Sequence, residues 1–296
     1  MTSPSPAKSA PPPILAQAGD LLVRYDVLYC DVWGVVHDGV RAYPKATDAL
    51  IRFRDGGGTV ILLTNAPVPV HRVVAMLEAR HVSPDAYDGI VSSGEIALAH
   101  MSDAGYRRVY FIGPRARDAA FFERSAAEEA DLEHADAIVC TGLNDDVNET
   151  VETYCEVLSR AKALGLPFVC ANPDLVVDVG GRLFLCAGAI ADAYAQIGGQ
   201  VFWAGKPHAA AYAAAKAMAE KIRGTTVCDD RILVIGDAVR TDLTGATAAG
   251  LDALFIAGGI HRGEAMTGAE IDEAKLATLF PAGGPSALGA MSGLAW

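Results

Sequence analysis

Six short, nearly continuous apolar runs punctuate this chain: Val27 to Val32 (VLYCDV), Thr59 to Leu63 (TVILL), Val109 to Ile112, Ala137 to Cys140, Phe168 to Cys170 and Ile232 to Ile235 (ILVI). Runs of this kind, apolar at successive rather than alternate positions, belong to strands buried on both faces, the condition of parallel strands covered by helices. Between them, Lys45 to Arg54, Val70 to Arg80, Val147 to Leu164 and Ala209 to Ile222 carry apolar residues at helical spacing. The alternation predicts the α/β class with a parallel sheet. Turn signals agree: Pro44 stands at a helix start, Gly56-Gly57-Gly58 at its end, and Ser92-Ser93-Gly94-Glu95 has the spacing of a capping box.

At 296 residues and 51% hydrophobic content the chain can bury two domain cores. Its formal net charge of −12 is interrupted by no basic block. That surface repels phosphate backbones and anionic lipid heads, so neither nucleic acid nor a membrane is an expected partner. No apolar stretch approaches a bilayer-spanning length. The opening MTSPSPAKSAPPP lacks the apolar segment of a secretory signal and reads as a flexible tail. Six scattered cysteines form no C-x-x-C pair, and four end or sit within apolar runs. Buried, reduced thiols in a cytoplasmic protein are therefore expected.

Three of the proposed strands end in residues able to do chemistry. Asp31 closes the first and opens a Gly-containing turn, Thr64-Asn65 closes the second, and Gly236-Asp237 closes ILVI. Parallel strands present such residues at one carboxyl rim, where ligands bind in open α/β sheets. Asp242 follows Asp237 by five residues, so three acids can converge. Such a set requires a cation between its members, and hard oxygen ligands suit Mg²⁺. Gly205-Lys206-Pro207 adds a positive charge able to offset an attacking carboxylate and an incoming phosphate. Gly56-Gly57-Gly58 precedes a strand instead of following one and is no dinucleotide fingerprint, and the seven His show no zinc spacing. Cys30 and Trp203 are expected in core packing.

Taken in order, Asp31-Val32-Trp33-Gly34-Val35, Leu63-Thr64-Asn65, Gly205-Lys206-Pro207 and Gly236-Asp237 to Asp242 resemble the four motifs of the haloacid dehalogenase (HAD) superfamily of aspartate-nucleophile hydrolases. The chain looks most like the class IIA branch, the NagD-like and 4-nitrophenylphosphatase-like proteins, a likeness extended by Ala171-Asn172-Pro173-Asp174 and Ala187-Gly188-Ala189-Ile190. The resemblance implies a HAD-like Rossmannoid core with an inserted α/β cap of the C2 type. Only 32 residues separate Asp31 from Thr64, whereas 141 separate Thr64 from Lys206, which places the insertion between the second and third motifs. The expected division is a tail over 1–15, a core over 16–87 and 201–296, and a cap over 88–200.

By the same resemblance Asp31 is the nucleophile of a Mg²⁺-dependent phosphatase and forms an aspartyl-phosphate. Thr64 and the amide of Asn65 hold the phosphoryl oxygens, and Lys206 stabilises their charge. Asp31, the Trp33 carbonyl, Asp237 and Asp242 hold the metal. Trp33, His37, Asn172 and Asp174 are expected near the substrate, a small phosphorylated metabolite such as a sugar, nucleotide or aryl phosphate. Caps of this branch often dimerise, so a homodimer is the partner left open.

One position departs from the pattern. Most phosphatases of this superfamily carry a second Asp two residues after the nucleophile, where this chain has Trp33. That Asp protonates the leaving group and later deprotonates water, whereas an indole only donates its N–H. Three outcomes stay open: substrates with good leaving groups, a substitute acid from His37 or Asp38, or a protein that binds a phosphorylated ligand with little or no turnover. A 2-haloacid dehalogenase stands behind these, because those enzymes carry their cap between the first and second motifs and do not need the metal carboxylates.

Overall fold

The computed structural model describes residues 11–296; of the tail expected over 1–15, residues 1–10 lie outside the described residues. The described chain forms two compact units. One comprises the residues up to Leu62 with Arg80–Gly89 and Ala215–Trp296, and the other comprises Leu63–Ala79 with Ile90–Ala214.

The first unit is built on parallel strands in the order Gly289–Met291, Asp252–Ile256, Ile232–Gly236, Val27–Cys30 and Thr59–Thr64. The sheet's sixth strand, Gly89–Ser92, is where the chain passes into the second unit. Val27–Cys30 is central and buried along its length, which accounts for its unbroken apolar character. The helix Pro44–Asp55 starts on Pro44, whose missing N–H costs nothing there, and ends at Gly56 with Arg52 and Arg54 complementing its dipole. It buries Ala46, Ala49, Leu50 and Phe53, one stripe at helical spacing. Residues 13–15, assigned to the tail by sequence, run beside the last strand: Leu15 N donates to Ala290 O at 2.9 Å and Ala290 N to Pro13 O at 2.9 Å.

The second unit has its own parallel sheet, ordered Val201–Trp203, Phe168–Cys170, Ala137–Cys140, Arg108–Ile112 and Glu128–Glu129. Its strands alternate between two cores. Ile112, Ile138, Cys140, Phe168 and Cys170 pack on one face with Tyr194 and Leu158. Val109, Phe111, Val139 and Val169 pack on the other with Phe121 and Met101. Continuous apolar runs are thus the sum of two period-two stripes. An antiparallel hairpin, Val176–Val179 with Arg182–Leu185, has no counterpart in the apolar runs; its residues are exposed or half-buried.

Two local expectations change. Ser92 caps the helix Ser93–Asp103 by accepting from Glu95 N at 3.2 Å, but the Glu95 carboxylate turns to Arg124 at 2.6 Å, so only half of the box forms. The helix expected from Val147 begins later, with a 3₁₀ turn Val151–Tyr154 and an α-helix Cys155–Leu164. Asp145 diverts the backbone first, its Oδ1 accepting from Val147 N and Asn148 N, and Thr150 then supplies the cap. All four cysteines of the apolar runs, Cys30, Cys140, Cys170 and Cys186, are buried; Cys155 and Cys228 are exposed. Among the described residues no helix is long and apolar enough to cross a membrane.

Candidate active site

Register decides which side chains meet in the first unit. Cys30 pairs with Ile235, and Asp31 N donates to Ile235 O at 2.8 Å, so Asp31 and Asp237 leave neighbouring strands at the same rim. Asp242 returns to that rim on the wide turn Val239–Leu243, with its carboxylate accepting from Ala238 N at 3.1 Å. One oxygen from each of Asp31, Asp237 and Asp242 lies within 4.8 Å of the others, and all three residues are buried.

Two glycines make this approach possible. Gly34 has φ +86°, and a Cβ there would fall 2.0 Å from Asp237 Oδ2. A Cβ on Gly236 would fall 2.1 Å from Asp242 Cγ. Side chains at either place would occupy the space the carboxylates use. Asp237 is further fixed by Ile260 N, which donates to Oδ2 at 2.6 Å. That amide was missed in the sequence, although its signal was present: an apolar run, Ala253 to Ala257, followed by Gly258-Gly259.

The donor set fits a hard divalent cation. Three buried carboxylates this close repel strongly in a low-dielectric setting, and a cation among them removes that repulsion. Their all-oxygen chemistry excludes a soft-metal preference. Asp31, Asp237 and Asp242 are therefore able to hold a divalent metal ion.

Trp33 follows at once on the same turn and is partly exposed. His37 packs behind it. The rings meet edge to face with centroids 5.1 Å apart and planes at 73°. Gly34 N donates to His37 O at 2.7 Å, and a Cβ on Gly39 would strike the indole at 2.4 Å. Arg80 donates to Gly39 O through Nε at 3.0 Å and Nη2 at 2.6 Å, closing the turn from outside.

The expectations placed on His37 and Asp38 are altered by this packing. His37 is fully buried and so has no exposed surface for a substrate. Its Nδ1 accepts from Gly39 N at 3.0 Å, which places the ring proton on Nε2. Burial, with a smaller contribution from the Arg80 charge, pushes its pKa down to about 4. Asp38 is spent on the turn, its Oδ1 accepting from Val40 N at 2.8 Å and Arg41 N at 2.7 Å. Those backbone donors help hold its carboxyl below the usual range against the opposing effect of burial.

In the second unit, Thr64, Asn65, Lys206 and Asn172 are buried. The Asn65 carboxamide joins three segments. Its Nδ2 donates to Asp174 Oδ1 at 2.9 Å and to Lys206 O at 3.1 Å, and its Oδ1 accepts from Lys206 N at 2.8 Å. Asn172 Oδ1 accepts from Asp174 N at 3.1 Å, shaping the loop that carries the acid. Thr64 Oγ1 accepts from Ala66 N at 3.2 Å. Asn65, Lys206, Asp174 and Asn172 thus form one hydrogen-bonded group. Trp203 packs on the core and stacks on His208 with centroids 5.0 Å apart, as its expected packing role requires.

Comparison with known proteins agrees with this geometry. Residues 28–126 match the haloacid dehalogenase-like hydrolase family and residues 203–279 match a HAD-hydrolase-like family. A haloacid dehalogenase-like hydrolase from Brucella suis 1330, known by crystal structure, is 42% identical; the match covers 95% of this chain and 100% of that one, with a TM-score of 0.83. The ribonucleotide monophosphatase NagD of Escherichia coli K12 is 27% identical over 240 residues, 78% of this chain and 87% of the relative. The 4-nitrophenylphosphatase of Thermotoga maritima shares the fold at 20% identity, with a TM-score of 0.63 over 87% of this chain and 98% of that one. The chain is similar to NagD and shares its fold with 4-nitrophenylphosphatase, and it belongs to the haloacid dehalogenase superfamily of hydrolases.

Proposed function

We propose that this chain is a Mg²⁺-dependent phosphohydrolase that cleaves a small phosphorylated metabolite through an aspartyl-phosphate on Asp31. The observation that carries the reading is the buried cluster of Asp31, Asp237 and Asp242, with oxygens within 4.8 Å, in a chain of this family. Asp31, the Trp33 carbonyl, Asp237 and Asp242 would hold the ion. When bound, Mg²⁺ supplies charge compensation for the phosphoryl oxygens as the carboxylate approaches.

The chain's own residues account for the other steps. An Asp31 carboxylate oxygen attacks phosphorus, and the bond to the leaving oxygen breaks with its electron pair. Water then attacks phosphorus, the bond from phosphorus to Asp31 breaks with its pair returning to the carboxylate, and of the two protons water brings one stays on the released phosphate and the other passes to the departed anion or to solvent. The Thr64 hydroxyl and Asn65 amide hold the phosphoryl oxygens, with Lys206 neutralising their charge. The Asn65 carboxamide serves this set indirectly, by fixing the Lys206 backbone. A core over 16–87 and 201–296 would carry the chemistry, with a cap over 88–200 selecting the substrate through a loop that includes Asn172 and Asp174. Sugar, nucleotide and aryl phosphates are the substrate classes to test, in a cytoplasmic protein that is monomeric or a homodimer. Trp33 favours one second reading, a protein that binds a phosphorylated ligand with little turnover.

The test is phosphate release from sugar, nucleotide, aryl and acyl phosphates with Mg²⁺ and with chelator. Metal-dependent release lost in Asp31→Asn supports the phosphatase. No release, with a phosphorylated ligand still raising the melting temperature, supports the binding reading.

A further inference from the structure

We propose that Trp33 makes this chain selective for phosphoryl compounds whose leaving group departs as a stable anion: acyl phosphates, phosphoanhydrides and aryl phosphates. The inference rests on the phosphohydrolase reading above and narrows its substrate class.

Breaking the bond from phosphorus to the leaving oxygen puts an electron pair on that oxygen. An alkoxide is too basic to leave readily without a proton, whereas a carboxylate, phosphate or phenolate needs little help; their conjugate acids have pKa values of about 4, 6 and 10. A positioned acid contributes about 10²- to 10⁴-fold. Residues 32–38 contain two side chains of acid–base type, and both are engaged in holding the turn. His37 is fully buried, with its Nδ1 occupied by Gly39 N. Asp38 holds Val40 N and Arg41 N with the same oxygen.

Trp33 is meanwhile kept where it is. His37 lies edge-on to the indole at 5.1 Å, Gly39 leaves no room for a Cβ beside it, and Arg80 ties Gly39 O with two donors. Rotating the indole away would require this packed turn to open. The side chain two residues from the nucleophile is thus a fixed, partly exposed aromatic surface that carries no transferable proton. A planar acyl or aryl group can lie against such a surface, and an alkyl group gains less from it.

The experiment is a leaving-group series on the full chain with Mg²⁺: acetyl phosphate, 4-nitrophenyl phosphate, phenyl phosphate and propyl phosphate. The expected result is a steep fall in kcat/KM along the series, with propyl phosphate about 10²-fold or more below 4-nitrophenyl phosphate. Trp33→Asp is expected to raise propyl phosphate hydrolysis relative to that of acetyl and 4-nitrophenyl phosphate, which flattens the series. A flat wild-type series would overturn the inference while leaving the phosphatase standing, because it would mean that another part of the chain supplies the acid. Release from no member would overturn the phosphatase reading and this one with it. The wild-type series decides the matter even where Trp33→Asp fails to fold.

Discussion

The carboxamide of Asn65 closes a two-way clasp on Lys206, accepting from its backbone N at 2.8 Å and donating to its backbone O at 3.1 Å. The same Nδ2 reaches Asp174 at 2.9 Å. An amide is the one short side chain that can satisfy a backbone donor and acceptor together while donating to a carboxylate. Asn65→Asp keeps the shape but removes both Nδ2 donors and sets a carboxylate against Asp174. In a buried site this is expected to cost about 1–3 kcal/mol of stability. If Lys206 carries the charge proposed for it, kcat/KM falls by about 10²-fold from its misplacement. Denaturant melts and steady-state kinetics measure the two effects separately.

The acidic cluster predicts a metal response that does not depend on turnover. A cation that binds only the folded chain raises its melting temperature by mass action. Mg²⁺ is expected to do so for the wild type. Gly34→Ala should abolish the shift, because its Cβ would lie 2.0 Å from Asp237 Oδ2 at a backbone φ of +86°. A retained shift in that variant would remove Asp237 from the metal site.

Thiol reactivity should divide sharply. Burial pushes the Cys140 thiol up to about 12, and raises Cys170 and Cys186 as well. Such groups hold almost no thiolate at pH 8, and thiolate is the reactive form. Only Cys155 and Cys228 are therefore expected to react rapidly with a thiol reagent in the native chain, with Cys30, Cys140, Cys170 and Cys186 following on unfolding. Timed labelling with and without denaturant reads the two classes.

Asp118 is a buried carboxylate held just past the carboxyl end of the second unit's central strand. Arg117 approaches it at 2.9 Å through Nε and 3.1 Å through Nη2, and the Thr141 hydroxyl donates to it. Asp118→Ala leaves the Thr141 hydroxyl without its acceptor and Arg117 with only Asp146 and the Thr141 carbonyl, and is expected to destabilise by about 2–3 kcal/mol. The Arg117 side chain is 43% exposed and can rehydrate, which keeps the loss below that of a fully buried pair. Urea melts of Asp118→Ala and Asp118→Asn give the comparison, with the smaller loss expected for Asn.

Strands were legible where burial on both faces made them so. Ala137–Cys140 and Phe168–Cys170 have the bounds their apolar runs suggest, because every residue is buried and all but Ala137 pack in one core or the other. The carboxylates of Asp31 and Asp237 were legible for a related reason: parallel register carries residues just past neighbouring strands to one rim. Asp242 needed only the short return that follows. Contacts made by side chains folding back on the backbone left no periodic trace. The Asp145 turn delayed a helix that hydrophobic spacing had started at Val147. The exposed Val176–Val179 hairpin arm had no buried stripe to announce it. The clasp of Asn65 on Lys206 joins residues 141 positions apart, and the packing of His37 behind Trp33 depends on a turn whose shape Gly39 and Arg80 set.

The chemical state of Asp31 during turnover tests the covalent mechanism most directly. The chain is mixed with 4-nitrophenyl phosphate and Mg²⁺, quenched in acid within the first turnovers, and digested for mass analysis of the peptide containing Asp31. An aspartyl-phosphate mechanism requires a phosphoryl group on that residue, absent with chelator and absent in Asp31→Asn. Steady phosphate release from the wild type with Asp31 unmodified, or undiminished release by Asp31→Asn, would contradict it.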